Sequence, residues 1–466
     1  MWYPGDMNRA ELEQLSRDEL ITIILHLQAE LETLRQRIEH LETPPPPPPT
    51  SQNSSQPPSQ DQKANRSADT PRKKHGPPTG HPKHERPIVP HPDEIVEVRP
   101  MHCPTCQNDL AGQMGCVLDW TQITELPEPC AQVIEVRQVA IICPGCGVSH
   151  TEEPPSGLEL HRQFGARLEA TIVYYRHEQH LSYERTQAAL LNLHGVTISQ
   201  GGIDQVMQRA SNAAKAQMPA LLEAVQASTV INSDETRVRV TGQTWWQWVF
   251  CAATVVVHVI RKTRGFAVIA EVLGETPQVE VWGSDCLAAQ MKTPVEAHQV
   301  CLAHQLRDLQ RVIDGVGPAW WARAMRALFP AAIHLHHQRA TLPPDEYATQ
   351  VARLERLLSW LLARSPPTAA AMKLCQRYRK HRASLLVFLH RTDVDPTNNV
   401  SERAVRPSVI HTKVSGGFRS EWGANAYAAL CSVIDTARQR GTTAFAAVQA
   451  LLGTPALPLP LSGSGE

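Results

Sequence analysis

Apolar residues recur in a heptad pattern near the beginning of the chain. Leucine or isoleucine returns at alternating intervals of four and three residues, in the series Leu20, Ile24, Leu27, Leu31, Leu34, Ile38 and Leu41. This spacing places the apolar side chains on one stripe of a helix, as in a two-stranded coiled coil. The pattern predicts a leucine-zipper-like helix over residues 9–43 and a homodimer. The alternative is a single amphipathic helix that packs on the protein's own body.

Residues 44–100 form a basic segment that is rich in Pro, Ser, Gln and Lys and poor in aromatic residues. Such a composition buries too little apolar surface to offset the loss of chain entropy on folding. The segment is therefore predicted to be a disordered linker. Its basic cluster at residues 72–75 either contacts phosphates or simply keeps the tether soluble.

Two Cys-x-x-Cys pairs follow within residues 101–152, namely Cys103 with Cys106 and Cys143 with Cys146. Four thiolates close a tetrahedral zinc site and leave no open position for a substrate. In a reducing compartment this spacing favours a metal over disulfides. The segment is predicted to be a zinc-binding module with a structural Zn²⁺.

A helical region with a helix-turn-helix pattern is predicted over residues 160–215. Two helix candidates, residues 183–193 and 199–209, are joined by a short turn that contains Gly195. In a helix-turn-helix the second helix enters the major groove of DNA. Ser199, Gln200 and Gln205 lie near its leading end and are predicted to contact DNA, although helix pairs with a glycine turn occur in many helical domains.

Strand-like apolar runs begin at Ser228, and two of them end in acidic residues. The run from Thr229 leads into Asp234, and the run from Val279 leads into Asp285. Clustered acids are costly unless a cation lies between them. Of the adjacent acids at the first position, Asp234 is preferred, because Glu235 would point to the other face of the strand. Residues 228–304 are predicted to be the first part of an α/β core.

A third acid, Glu402, lies at a predicted helix start with Asn398 or Asn399 as the cap. The 116 residues between Asp285 and Glu402 are too many for a simple connection, and Leu, Ala, Arg and Trp recur in them at helical spacing. Residues 305–392 are therefore predicted to be an inserted helical domain. Residues 393–453 would complete the core with the helix of Glu402 and a C-terminal helix.

The net charge of −1 conceals a basic segment. Residues 373–421 contain ten basic and four acidic side chains, a surplus that suits contact with nucleic-acid phosphates. The chain has no run of about 18 apolar residues for a membrane span, and residues 1–10 lack the pattern of a secretory signal. We expect a cytoplasmic protein with no membrane partner.

The string from Asn398 through Glu402 to Pro407, continued from His411 to Gly423, resembles the signature of the insertion-sequence-66 family of DDE transposases. The Asp234-Glu-Thr block, Trp246–Phe250, and Asp285 followed by Cys301-Leu-Ala-His304 are also similar to that family. The resemblance extends over nearly the whole chain, including the heptads, the linker and the cysteine pairs.

The resemblance implies a multidomain α+β protein with an RNase H-like mixed α/β catalytic core. Asp234, Asp285 and Glu402 would be the catalytic acids and would hold two Mg²⁺ (or Mn²⁺) ions for DNA strand cleavage and strand transfer. The partners would be the terminal inverted repeats of the element, target DNA and small accessory proteins, in a nucleoid-associated bacterial setting. The basic residues expected to contact DNA are Arg403, Arg406, Lys413 and Arg419.

One departure and two rival functions accompany the resemblance. The family often has Gly after the second Asp and a Tyr downstream, whereas this chain reads Asp285-Cys-Leu-Ala-Ala-Gln290. Cys301 and His304 are interpreted as a second metal pair, a redox site or core residues. The rival functions are a catalytically impaired remnant that acts as a sequence-specific DNA-binding protein, and a nuclease that cuts without joining.

Overall fold

The computed structural model describes residues 24, 28, 49–50, 88–124, 131–154, 159–160 and 162–453. Apart from residues 24 and 28, the predicted coiled coil lies outside these residues, as does most of the predicted linker. The described part divides mainly into a larger unit, residues 136–186 and 199–453, and a smaller unit, residues 88–135 and 187–198, with gaps as stated. Within the described ranges, no helix has the length and apolar character needed to cross a membrane.

A mixed five-stranded sheet forms the centre of the larger unit. After the two-stranded pair β1 (Ile141–Ile142) and β2 (Ser149–His150), its strands are β3 (Val230–Val240), β4 (Gln243–Cys251), β5 (Val256–Arg261), β6 (Val281–Ser284) and β7 (Ala297–Val300). The strand order is β5-β4-β3-β6-β7. β3, β4 and β5 pair antiparallel, whereas β3 with β6 and β6 with β7 pair parallel. The fold is thus mixed α and β.

Twelve α-helices lie within the described residues. They are α1 (Ala166–Val173), α2 (Tyr183–His194), α3 (Gln200–Gln226), α4 (Phe266–Leu273), α5 (Ala288–Met291), α6 (Leu302–Asp314), α7 (Trp320–His337), α8 (Pro344–Ala363), α9 (Ala369–Lys380), α10 (Asn399–Ser415), α11 (Glu421–Gln439) and α12 (Ala444–Gly453). A π-helical turn, Tyr174–Glu178, directly follows α1.

One face of the sheet is buried by large aromatic side chains. Trp248, Phe250 and Trp282 are fully buried and form one cluster with apolar residues of α3 and α4. β-branched and aromatic side chains favour strands because they pack well on a pleated surface. Trp248 is therefore a core residue of the sheet, and Trp246 packs partly buried against the same cluster.

Four of the helices between Asp285 and Glu402, α6 to α9, have an apolar core of their own. Trp321, Phe329 and Tyr378 are buried there, and the Tyr378 ring contacts Phe329 edge-on and Trp321 in a tilted arrangement. Val281 of β6 and Leu302 of α6 belong to the same cluster. Shared core residues therefore attach these helices to the parallel side of the sheet.

Helix α11 covers the edge strand β5 through side-chain hydrogen bonds. The Val256 N–H donates to Thr436 Oγ1 at 3.0 Å, and the His258 N–H donates to Ser432 Oγ at 2.8 Å. An uncovered edge strand offers unpaired backbone groups to other strands. The hydroxyls of α11 occupy these groups, so this edge is protected.

A cluster of buried and half-buried histidines, His177, His180 and His411, lies between the π-helical turn, α10 and α11. The His411 ring stacks on Tyr427 at 4.6 Å and on Phe418 at 5.0 Å between ring centroids. Burial, together with the neighbouring His180, lowers the pKa of His411 to about 4. Burial lowers the pKa of His177, which contacts Tyr427, to about 3. Both rings are therefore neutral near pH 7.

Candidate active site

The pairing of β3 with β6 brings Asp234 and Asp285 side by side. The parallel register places Asn232 opposite Gly283, so Asp234 and Asp285 follow two residues later at equivalent positions. A Cβ atom at Gly283 would lie 2.1 Å from Asn232 Oδ1, so only glycine lets the two strands approach with the Asn232 side chain between them. The two acids that ended separate apolar runs in the sequence thus meet at one edge of the sheet.

Three carboxylates meet there rather than two. One oxygen each from Asp234, Glu235 and Asp285 lies within 4.8 Å of the other two. Burial, followed by repulsion from Glu235 and Asp285, raises the pKa of Asp234 to about 8. Burial and repulsion from Asp285 raise the pKa of Glu235 to about 7. The cluster is electrostatically costly without a cation or protons between the carboxylates.

The arrangement fits a hard divalent cation. Asp285 Oδ1 is buried and has no hydrogen-bond partner among the described residues. Buried polar atoms are normally paired, and an unpaired carboxylate oxygen beside two other carboxylates is suited to coordinate a metal. Oxygen-only ligands are those that Mg²⁺ prefers.

Glu235 is the member of the cluster that the sequence analysis placed elsewhere. Gln290 Nε2 donates to Ser233 Oγ at 2.8 Å and to Glu235 Oε2 at 3.2 Å, so Ser233 and Glu235 share one face of β3, as the alternation predicts. Arg264 Nε also donates to Glu235 Oε1 at 2.9 Å. The Glu235 carboxylate nevertheless reaches Asp234 and Asp285 at the strand edge. The position of Glu235 next to Asp234 in the sequence was the only indication that it could join the cluster.

Cys286 follows Asp285 in a left-handed backbone conformation with φ of 78°. This conformation strains any residue with a Cβ atom and favours glycine. The departure noted in the sequence, cysteine where the resembling family often has glycine, therefore falls at a position with a physical demand for glycine. Burial raises the pKa of the Cys286 thiol to about 11, so the side chain is neutral near pH 7.

Glu402 lies in the first turn of α10 and contacts α6. Its Oε1 atom is 3.4 Å from His304 Nδ1 and 4.0 Å from Cys301 Sγ, and its Oε2 atom is 3.7 Å from an Arg307 guanidinium nitrogen. Repulsion from Glu402 also contributes to the raised pKa of Asp234. Glu402 is thus near the three carboxylates but forms its closest group with Cys301 and His304.

Hydrogen bonds anchor the start of α10 to the sheet. Asn398 occupies the N-cap position, and its Nδ2 donates to the Ser233 carbonyl oxygen at 2.7 Å. Its backbone N–H donates to Cys301 Sγ at 3.2 Å, and its Oδ1 accepts from the Ser401 hydroxyl. The Asn398 side chain therefore binds β3 one residue before Asp234 and does not cap the backbone N–H groups of α10.

The predicted DNA-contacting residues on α10 are exposed. Arg403, Arg406 and Lys413 point to one side of the helix, away from the buried Val405 and Ser408, and Arg419 is exposed beyond its end. The turn after α10 requires glycine at position 417. The φ of Gly417 is 112°, and a Cβ atom there would lie 2.5 Å from the Arg239 carbonyl oxygen. A basic surface therefore borders Glu402.

The predicted recognition helix begins as expected but is much longer. Ser199 is the N-cap of α3, and its side chain accepts a hydrogen bond from the Gly202 N–H at 3.1 Å. Gln200 contacts Glu184, and both Gln200 and Gln205 are exposed. Capping accounts for Ser199, so Gln200 and Gln205 are the predicted contacts whose side chains are available to a partner.

Each Cys-x-x-Cys pair forms a turn of the same kind. The N–H groups of Cys103 and Cys143 each donate at 2.9 Å to the carbonyl five residues later, and their carbonyls each accept from the N–H four residues later. Hydrogen bonds from backbone N–H groups within each turn lower the pKa of Cys103 and of Cys143. Each turn therefore favours the thiolate form, which binds metals.

Comparison with known proteins relates the chain to a protein family. Residues 161–426, more than half of the chain, match the family model described as Transposase IS66 family. The matched range includes Asp234, Asp285 and Glu402, and it begins after the two cysteine pairs. No curated protein matches the chain.

Proposed function

The chain belongs to the IS66 family of transposases, and from that premise we propose that it cuts and joins DNA strands by a DDE mechanism. Asp234, Asp285 and Glu402 are the catalytic acids of this proposal, and Mg²⁺ or Mn²⁺ is the cofactor. The terminal inverted repeats of the element and target DNA are the substrates. The mixed sheet flanked by helices supports an RNase H-like core.

The observation that carries the proposal is the convergence of Asp234 and Asp285 on neighbouring parallel strands. Two divalent ions held by these acids and Glu402 would activate the attacking water or 3′ hydroxyl and stabilise the leaving oxygen. The protein's own contribution is rigid placement, since both aspartates extend a fully paired stretch of sheet. The raised pKa of Asp234 and the unpartnered Asp285 oxygen indicate that the site favours a bound cation over an empty state.

Glu402 supplies the third carboxylate from a helix whose outer surface is basic. Arg403 and Arg406, adjacent to it on α10, suit the phosphates on both sides of a scissile bond. The Arg307 guanidinium lies 3.7 Å from Glu402 Oε2 and favours the charged form of this carboxylate beside the aspartate cluster. The side chains that bind DNA and those that react are therefore separate sets on one helix.

The test compares cleavage with binding in one preparation. Asp234→Asn, Asp285→Asn and Glu402→Gln should each reduce Mg²⁺-dependent cleavage of element ends to background, because the amide keeps the shape but loses the charge that holds the cation. End binding should persist, since it depends on phosphate and base contacts. Asp393→Asn is the matched control, as Asp393 is an exposed acid paired with Arg391.

If the variant of one of these acids cuts at the wild-type rate, that acid is not catalytic, and Glu235 would be tested next. Strand transfer is measured in the same reactions with a target plasmid. Cleavage without any joined product would indicate a nuclease that only cuts, in place of the proposed transposase activity.

For the N-terminal part we propose a structural zinc module formed by Cys103, Cys106, Cys143 and Cys146. The common turn geometry of the two pairs and their N–H···S hydrogen bonds support it, because such turns stabilise thiolates. Elemental analysis should find zinc in the purified protein. Zinc retained in full after Cys103→Ser combined with Cys143→Ser would contradict this site.

The remaining parts of the proposal concern assembly and setting. The heptads of residues 9–43 would form a homodimer, Gln200 and Gln205 would read DNA, and small accessory proteins would assist transposition in the bacterial cytoplasm and nucleoid. Leu27→Glu with Leu34→Glu should yield monomers in light scattering. An unchanged dimer would move the interface elsewhere.

A further inference from the structure

Cys301, His304 and Glu402 form a second group of metal-binding side chains beside the aspartate cluster. One donor atom from each lies within 4.8 Å of the other two. Cys301 ends the loop after β7, and His304 lies in the first turn of α6, so the i and i+3 positions face the same side. Glu402 approaches them from α10. The group therefore offers sulfur, nitrogen and oxygen to one point.

The distances from Glu402 to the other two side chains are close to those of a tetrahedral zinc site. Ligands about 2.0 to 2.3 Å from a tetrahedral zinc ion are separated by roughly 3.4 Å for a nitrogen and oxygen pair and about 3.6 Å for a sulfur and oxygen pair. The observed separations from Glu402 Oε1 are 3.4 Å to His304 Nδ1 and 4.0 Å to Cys301 Sγ. Small side-chain movements would suffice to admit the ion.

Two further contacts suit a cation at this point. His304 Nδ1 is buried and has no hydrogen-bond partner among the described residues, although it lies near Glu402. The Asn398 N–H donates to Cys301 Sγ, which stabilises a metal-bound thiolate. Arg307 binds the other Glu402 oxygen, Oε2, so it does not occupy the position between Oε1, the thiol and the imidazole.

We propose that Cys301, His304 and Glu402 bind a thiophilic divalent cation, with Zn²⁺ as the reference ion. Sulfur and imidazole ligands select Zn²⁺ over Mg²⁺, whereas the neighbouring all-oxygen cluster selects Mg²⁺. On binding, the Cys301 thiol releases its proton to solvent, and the thiolate, the imidazole nitrogen and the Glu402 oxygen each donate a lone pair to the ion. Water would complete the fourth position.

The two sites share Glu402, so an ion bound at one site affects the other. Resting on the proposed function, Zn²⁺ held by Cys301 and His304 withdraws Glu402 from the acids that support strand cleavage. Zn²⁺ therefore acts as an inhibitor that competes with Mg²⁺ for one carboxylate. Loss of the thiol should relieve the inhibition without removing any of the three catalytic acids.

The binding test uses the full-length protein with its tightly held zinc in place. Co²⁺ is added, and thiolate-to-cobalt absorption and bound cobalt are measured for the wild type, Cys301→Ser and Asp234→Asn. The wild type and Asp234→Asn should bind one more Co²⁺ per chain, with the thiolate band, than Cys301→Ser does. Cys286→Ser is the matched control, because Cys286 is near Asp285 but outside the group, and it should retain the signal.

His304→Gln provides a second variant in case Cys301→Ser unfolds, and circular dichroism checks the fold of both. Equal cobalt stoichiometry and spectra in the wild type and in folded Cys301→Ser or His304→Gln would overturn the site. This readout needs no DNA, so it stands or fails independently of the transposase proposal.

The inhibition test measures Mg²⁺-dependent cleavage against free Zn²⁺ concentration. The half-inhibiting concentration should rise by about tenfold to a hundredfold in Cys301→Ser, the scale on which loss of a metal-supporting group weakens metal sites. Identical inhibition curves for the two proteins would overturn the competition. An enzyme that fails to cut with Mg²⁺ alone would count against the proposed function and leave the cobalt result intact.

Discussion

Replacing Asn398 with alanine should alter the position of Glu402 while leaving all the carboxylates of the site in place. Asn398 is 1% exposed. Its side chain joins the start of α10 to β3 through the Ser233 carbonyl, and it accepts the Ser401 hydroxyl. No carboxylate changes in Asn398→Ala. The variant therefore tests whether cleavage requires only the Glu402 carboxylate or also its placement beside the aspartates by the Asn398 amide.

The expected loss of stability follows from the groups left behind. Asn398→Ala removes the partner of the buried Ser233 carbonyl and one partner of the buried Ser401 hydroxyl. Each buried polar group that loses its partner costs about 1 to 3 kcal/mol, and backbone contacts partly compensate, so the free energy of unfolding should fall by roughly 2 to 4 kcal/mol. A shift of Glu402 by about 1 Å would reduce cleavage by on the order of 10²-fold.

Urea unfolding and cleavage of element ends are measured on the same samples, at a temperature where the variant remains folded. Asn399→Ala is the matched control, because the neighbouring Asn399 is exposed; its unfolding free energy should change by less than about 0.5 kcal/mol. If Asn398→Ala keeps wild-type stability and cleavage, the anchoring role assigned to this amide is wrong. Lost stability with full cleavage by the folded fraction would refute the positioning argument alone.

Three further outcomes follow from the strained and buried groups. Cys286→Gly should stabilise the protein by about 0.5 to 1 kcal/mol in urea unfolding, because relief of the left-handed strain exceeds the entropy cost of glycine, whereas Cys286→Ala should gain nothing. The pKa of His411 is about 4 in the folded state and about 6.5 in the unfolded chain, so the unfolded state binds more protons between these values. Stability should fall as pH drops through that range, and His411→Phe should flatten the dependence; an equal slope in the variant would contradict it. The pKa of Asp234 is raised to about 8, so in the presence of chelator stability should fall as pH rises from about 4 to 8, and Asp234→Asn should lack that contribution in thermal unfolding.

The strands that carry the aspartates could be predicted from local patterns. Apolar runs that lead into Asp234 and Asp285 indicated two strands, and the observed β3 and β6 are adjacent and parallel. Asp285 directly follows β6, as expected, whereas β3 continues past Asp234 to Val240 because it pairs with β4 along that length. The position of Glu235 could not be predicted by alternation alone. Alternation fixes the face of a strand, whereas the approach of its carboxylate to Asp285 depends on which strand lies next to β3 and on the contact with Gln290.

Other features depended on contacts far apart in the sequence. The second helix of the predicted helix-turn-helix was expected over residues 199–209, yet α3 continues to Gln226 with Pro219 inside it. Proline ordinarily ends a helical pattern. Here Leu221 and Val225, beyond the proline, are buried in the core of the sheet, and this packing sustains the helix. The contacts of Glu402 with Cys301 and His304 likewise arise only once α10 has packed on α6.

The anchoring of α10 to β3 makes the site a late product of chain synthesis. Asp234 and Glu402 are 168 residues apart, and the hydrogen bond from Asn398 to Ser233 spans almost the same interval. At roughly 5 to 20 residues per second, a ribosome needs about 8 to 34 s to pass from one acid to the other. During that time β3 and its neighbours exist without the helix that completes the carboxylate set, and β5 lacks the hydroxyls of α11. A chain released early would carry the aspartates without Glu402, so the proposed activity depends on completion of the C-terminal third.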